Sequence, residues 1–534
     1  MAPAARSVAH RGAADVAWTG THIDTDTHVT DPAAGPQRAI VILLDSLNRH
    51  MIGDYGGAEF ETPNIDRFAQ RAVRFERHFT GSLPCMPARH DILCGALDFL
   101  WKPWGSIELW EEPITAQLRR DGVTTMLVTD HPHLFETGGE NYHTDFYAWN
   151  YLRGHEGDPW RSRPDPSWMG APALPARQAG FHYDESRTWF REELDFPGPK
   201  TMQATADWID GNAAHFDRFL LFVDEFDPHE PFDTPAPWVN RYDDTWKGDV
   251  MIWPPYTVRG VERGVITERE ARHVRCNYGS KLSMIDHWFG KVLDAIDRQG
   301  LWDDTMVVLC TDHGHYLGDK DLFGKPMVPQ YEPLGHTPLY IHYPGAHRRR
   351  VDALTTNVDI HATLCDVFGI APGHRTHGKS LVPLLEGHAD AVREWALGGI
   401  FGNWVQVYDG HRKYARAPAA SPFPLSMWSN RWSTMPVHRF DPTFPKPDRR
   451  ATIDFMPGSD IPVLRQPFAE GDPLPYWCAR PRIGEHHLYD IDLDPAEDEN
   501  RLGGTDEADM VELLRAGLTA VEAPAEQFER LGVA

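Results

Sequence analysis

The sequence predicts an α/β fold, a sheet of buried strands sandwiched by helices, with a smaller α+β region at the C-terminus. Three observations predict it. Predominantly apolar runs at 39–44, 123–128, 219–223 and 306–311 fit strands covered on both faces. Each run leads into a polar segment with Asp or His, as open α/β sheets gather at the carboxyl ends of their strands. Leu282, Ile285, Phe289, Val292 and Ile296 recur at alternating spacings of three and four, one apolar stripe of a helix over 272–298 closed by Gly300.

Composition sets the limits. With 534 residues, 41% hydrophobic and 24% charged, the chain is globular and long enough for a large domain and a smaller one. A net charge of −26 argues against nucleic-acid or anionic-membrane partners, so an anionic substrate needs a local cationic pocket. No apolar window reaches the length of a membrane span, and no secretory apolar run opens the chain. The 6 cysteines form no C-x-x-C pair and suit a reducing compartment; the expected location is cytoplasmic.

In order along the chain, 1–36 is rich in Ala, Thr, Asp and Pro without periodicity and reads as a loose arm. The run 39–44 brings Asp45 to a strand end, where a lone Asp caps a helix or binds a ligand. Cys85, Pro87 and Arg89 then stand at C-x-P-x-R spacing. Pro87 disfavours helix at Met86 and stiffens the turn. Helical spacing puts Arg89 about one turn past Cys85 on the same face, where its charge can hold an anion near the sulfur. A buried structural cysteine is the ordinary alternative. A protein-tyrosine-phosphatase loop is excluded, because only three residues separate Cys85 from Arg89.

Residues 113–120 read as a helix ended by Gly122, and 123–128 leads to His131-Pro132-His133, a pair of donors or an ordinary loop. The stretch 136–200 lacks helical or strand period and reads as a long insertion serving as lid or binding loop. After 219–223, His229 stands between Asp227 and Glu230, a setting that by itself suits an ordinary charged loop. The run 306–311 delivers Asp312 and His313, an oxygen and a nitrogen ligand suited to a divalent cation, with Lys325 13 residues beyond Asp312. A boundary near 395 separates a domain at 37–395 from a C-terminal subdomain at 396–534. There, 404–408 alternates as an antiparallel strand turning at Asp409-Gly410, 417–475 is Pro-rich and irregular, and a final helix covers 506–522.

These motifs carry a resemblance. C-x-P-x-R at 85–89 is followed by Ile92-Leu93-Cys94-Gly95, near the Leu-Leu-Thr-Gly end of the type I sulfatase signature. Asp45, Pro63-Asn64-Ile65-Asp66-Arg67-Phe68, His229-Glu230-Pro231-Phe232, Asp312-His313-Gly314 and the closing 487–500 fall in the family's order. From 39 to 500 the chain thus resembles the formylglycine-dependent sulfatases of the alkaline-phosphatase superfamily.

The resemblance implies an alkaline-phosphatase-like large mixed β-sheet and a metal-dependent hydrolase of sulfate esters. A formylglycine-generating maturation enzyme would oxidise Cys85 to 3-oxoalanine, whose hydrate attacks the ester and later collapses to expel sulfate. Asp45, Cys85, Asp312 and His313 would surround one divalent ion. Arg89, Lys325, His131 and His133 would stabilise the ester oxygens, and His229 would protonate the leaving oxygen. A carboxylate-rich shell suits Ca²⁺, while the histidine admits Mn²⁺ or Zn²⁺. The sequence departs from the family at Asp45-Ser46, often Asp-Asp, at Ala88, usually Ser, and at His131, often Lys. The alternative substrates are phosphonate monoesters or phosphodiesters on the same fold, and a homo-oligomer is left open. A non-enzymatic binder is disfavoured by the intact Asp45, Cys85, Arg89 and Asp312.

Overall fold

The computed structural model describes residues 35–165, 182–435, 446–478 and 482–534. The expected arm lies outside them except for Gly35 and Pro36, as does 166–181 of the insertion. Pro36–Ala534 forms one compact unit.

At its centre is an eight-stranded sheet. Its strands are β1 (Arg38–Leu44), β2 (Val73–Phe79), β3 (Thr124–Thr129), β4 (Ala148–Tyr151), β5 (Phe219–Glu225), β6 (Thr305–Cys310), β7 (Leu339–His342) and β8 (Arg349–Thr356). They lie in the order β8-β2-β7-β6-β1-β5-β3-β4. β7 runs antiparallel to β2 and β6, and every other pair in this sheet is parallel. The four apolar runs are thus neighbours, β6-β1-β5-β3, at the middle of the sheet.

Alternate residues of β1 divide between two cores, Ile40, Ile42 and Leu44 on one side and Ala39, Val41 and Leu43 on the other. Burying an aliphatic side chain of that size stabilises by about 1.5–3 kcal/mol, so a strand covered on both faces shows no polar alternation. On the first face pack α2 (Pro197–Asn212) and α3 (Glu268–Gln299), through Met202, Ile209, Leu282 and Phe289. On the other lie α1 (Cys85–Cys94) and α4 (Val358–Phe368), through Met86, Ile92, Ile360 and Leu364. α3 starts earlier than the apolar stripe suggests, because Thr267 and Glu270 form a reciprocal capping box; it ends at Gly300, φ 65°.

Two stretches expected to be irregular contain strands. Within the insertion, β4 is an edge strand pairing with β3 alone, and its largely exposed side chains erase the alternation that would reveal it. Within 417–475, Leu425–Ser429, Thr452–Phe455 and Pro462–Phe468 form a three-stranded antiparallel sheet, with Pro462 at a strand's first residue where it is tolerated. A four-stranded antiparallel sheet of Ala396–Gly399, Val405–Tyr408, Arg412–Arg416 and His487–Asp490 turns at Asp409-Gly410 as expected. It braces the approach to α1: Leu83 N–H donates to Gly399 O at 2.9 Å, and Gly399 N–H to Gly81 O at 3.0 Å. Thr505–Ala520 packs on this sheet through Met510 and Leu514, and Ala525–Leu531 packs against Leu425–Ser429. Among the described residues no helix is long and apolar enough to cross a membrane.

Candidate active site

All parallel strands deliver their carboxyl ends to one edge of the sheet, and the predicted residues meet there. Cys85 is the first residue of α1, whose ten residues are all buried. Met86 is helical, against expectation. Pro87 falls in the first turn, where backbone N–H groups have no intrahelical partner, so its missing donor costs the helix nothing. Arg89 sits one turn on, its Nη1 donating to Cys85 O at 3.2 Å.

Arg89 is the hub. It is 1% exposed and reaches three carboxylates at the ends of three neighbouring strands. Nη2 donates to Asp45 at 2.9 Å after β1, Nη1 to Asp312 at 2.8 Å after β6. Nε and Nη2 donate to the two oxygens of Asp224 at 2.8 and 2.7 Å in β5. Burial opposes the charge of Asp45, but Arg89, followed by Lys325, overrides it and holds the carboxyl at about 2. Asp224 was missed in the sequence, although the strand-end logic that singles out Asp45 and Asp312 applies to it equally.

His313 is oriented as a metal ligand would be. Its Nδ1–H donates to Gly314 O at 2.9 Å, so Nε2 presents a lone pair toward Asp312 Oδ2 at 3.2 Å and Cys85 Sγ at 3.3 Å. One ligand atom each from Asp45, Cys85, Asp312 and His313 lies within 4.8 Å of the others. Two carboxylates and an imidazole lone pair converging in a buried space call for a cation, and the donor set fits one divalent ion. Ser46, in the left-handed region at φ 61°, donates its N–H to Asp312 at 3.1 Å and its hydroxyl to Asp45 at 2.8 Å. Asn48 ties that loop to the next by two bonds with the backbone of His315, at 2.7 and 2.9 Å.

The flanking groups divide into roles. Burial pushes the Cys85 thiol far up, so the unmodified sulfur is neutral. Lys325 Nζ lies 4.0 Å from Cys85 Sγ and 2.5 Å from His229 Nε2. His229 Nδ1–H donates to Glu230 O at 2.7 Å, so its Nε2 accepts from Lys325 and the proton of the pair resides on the lysine. The sequence expectation gave that proton to His229. His131 is fully buried, stacked on Phe226, with Nδ1 3.5 Å from Asp224 and no hydrogen-bond partner on either ring nitrogen. Its ring centroid is 5.2 Å from that of His133, which instead bonds Glu136 and approaches Glu156 at 3.4 Å.

A second buried group, His90, Cys94 and Glu111, also has metal-ligand spacing. The Lys102 ammonium lies 2.7 and 2.9 Å from the two oxygens of Glu111, supplying the positive charge that carboxylate needs. That group is an ion-pair brace behind α1.

A family model described as Sulfatase matches residues 37–370. The chain belongs to the sulfatase family. Among curated relatives of this sulfatase, the choline-sulfatase of Rhizobium meliloti (strain 1021) is 26% identical over 409 residues, covering 71% of this chain and 78% of that protein. The arylsulfatase of Clostridium perfringens (strain 13 / Type A) is 23% identical over 408 residues, covering 67% and 80%. Among solved structures, the phosphonate monoester hydrolase of Agrobacterium radiobacter superposes with a TM-score of 0.61 at 19% identity, covering 91% of this chain and 95% of that one. The large mixed sheet is thus the alkaline-phosphatase-like fold the motifs implied.

Proposed function

We propose that this sulfatase hydrolyses small-molecule sulfate monoesters with Cys85, matured to formylglycine, as nucleophile. One divalent ion would be held by Asp45, Asp312 and His313. The observation that carries the reading is the convergence of those donor atoms with Cys85, within 4.8 Å, over the Arg89 guanidinium. The ion would neutralise ester oxygens and lower the pKa of the nucleophilic hydroxyl. Arg89 orients Asp45 and Asp312 and presents its charge beside residue 85. His131, with unpartnered nitrogens, donates to a sulfuryl oxygen, and Lys325 protonates the departing oxygen while His229 aligns it. Cys85 is 3% exposed, so a maturation enzyme must act before α1 is buried.

The test weighs the Cys85 peptide of protein made beside a formylglycine-generating enzyme. The expected peptide is lighter than the cysteine form by about the mass of one water, and Cys85→Ala is inactive. Full turnover by wholly unmodified protein refutes the nucleophile. A phosphonate monoester or phosphodiester is the second reading, supported by the likeness in fold to the phosphonate monoester hydrolase of Agrobacterium radiobacter. Rates on matched aryl sulfate, phosphonate and phosphodiester separate the two.

A further inference from the structure

Tyr256 stands out against the leaving-group end of the site. The short strand Thr257–Val258 pairs antiparallel with Leu322–Gly324, Thr257 opposite Phe323, which sets Tyr256 across from Gly324 and beside Lys325. A Cβ on Gly324 would strike the Tyr256 ring at 2.3 Å, so glycine there lets the ring lie on the backbone just ahead of Lys325. The Tyr256 hydroxyl donates to Glu230, a carboxylate 3% exposed that also bonds His315 Nε2 at 2.9 Å. Lys325 Nζ stands 5.9 Å from the ring centroid.

An isolated exposed aromatic needs no explanation. This one is anchored at its hydroxyl on a buried carboxylate, yet the residue is 45% exposed. The anchor fixes the ring, and the exposure leaves apolar surface free beside the group that protonates the leaving oxygen. An alcohol whose oxygen reaches Lys325 Nζ has its first ring within stacking range of Tyr256, where centroids separate by roughly 4.5–7 Å. The ammonium already against the ring disfavours a second cation there.

We infer that Tyr256 is a specificity-determining wall for the leaving group, and that the substrate is a sulfate ester of an alcohol bearing a flat, uncharged ring face. This rests on the sulfatase reading above. An aryl ring and a pyranose share that chemistry, and the assay separates them.

The experiment uses full-length, metal-loaded, formylglycine-containing protein with three substrates: 4-nitrophenyl sulfate, glucose 6-sulfate and choline sulfate. For Tyr256→Ala, KM is expected to rise about threefold to tenfold on at least one of the two ring-bearing esters. kcat is expected to hold within about twofold, and KM for choline sulfate to stay put. Which ring ester responds identifies the source. Tyr256→Phe keeps the ring and loses the anchor, and is expected to give a smaller KM rise on the same ester; it stands in should the alanine variant not fold. A KM unchanged on both ring esters, or raised equally on all three, overturns the inference while sulfatase activity stands. Wild-type protein inert on all three overturns the inference and the sulfatase reading together.

Discussion

Asp224→Asn tests whether Arg89 needs a carboxylate of its own. Arg89 grips Asp224 through two bonds, at 2.8 and 2.7 Å, and touches Asp45 and Asp312 through one each. Asp45 and Asp312 belong to the converging metal-ligand set and Asp224 does not. Breaking a buried pair outright costs about 3–5 kcal/mol. Here Arg89 retains two carboxylates, so the metal-free variant is expected to lose only about 2 kcal/mol. The larger effect falls on ion binding, because a guanidinium without Asp224 competes for the carboxylates the ion requires. Losing such a supporting contact weakens binding about 10–100-fold. At a free ion concentration 100-fold above the wild-type Kd, binding adds about 2.7 kcal/mol of stability, and a tenfold weaker site leaves about 1.4. Urea unfolding with and without Mn²⁺ or Ca²⁺ measures both terms. An unchanged ion-dependent increment, whatever the metal-free loss, would refute the reasoning.

The remaining predictions are more local. His131→Ala is expected to keep full metal content and lose about 10²–10³ in kcat/KM, the scale of one oxyanion donor; metal analysis with kinetics decides, and an unchanged rate removes His131 from substrate contact. Asp286 accepts the Asn64 and Ile65 N–H groups, the latter at 2.8 Å, at the start of helix Pro63–Ala69, where Thr62 makes no side-chain cap. Asp286→Ala should therefore cost about 1–2 kcal/mol in urea unfolding. Burial holds His361 down to about 3, so the folded state refuses a proton that the unfolded chain takes below about 6.5. Stability contributed by this neutral ring is fully present above that pH and is lost as pH falls toward 3, by up to about 1.4 kcal/mol per pH unit. His361→Leu should flatten the slope between pH 6 and 4 by about one proton, and an identical slope contradicts the assignment.

Much of the site was legible because chemistry and topology speak in the same places. A strand buried on both faces must be apolar throughout, so a carboxylate following one stands out, as at Asp45 and Asp312. Asp224 escaped because it lies inside β5, one residue before the strand ends, among the acidic residues 224–230. Tyr256 escaped for a different reason: the strand it precedes has two residues, too few for any period to register. β4 and the strand Thr452–Phe455 were illegible because an edge strand with solvent on its side chains carries no hydrophobic alternation. The tautomers of His229 and His313 depend on backbone carbonyls in their own turns, which no side-chain pattern encodes.

The charges at the site explain how a chain of net charge −26 can receive an anion. Asp45, Asp224 and Asp312 place three negative charges around Arg89, with Lys325 the second cation nearby. His131 and His229 are held neutral, burial being the first cause for each. Glu230, 3.4 Å from His229, adds a fourth carboxylate, so without an ion the site is negative by two charges and repels a sulfate monoester. A divalent ion held by Asp45, Asp312 and His313 would offset those two charges and remove the repulsion. A carboxylate at position 46 would add a further negative charge beside the ion. The serine there thus leaves the ion's field less shielded toward the anionic ester. Binding of free sulfate should accordingly require the ion, and protein stripped by chelator should show no calorimetric signal with sulfate at concentrations that saturate the loaded form. Equal sulfate affinity in the two forms would mean that Arg89 and Lys325 alone set the field, and the ion's part in admitting the anion would lose its basis.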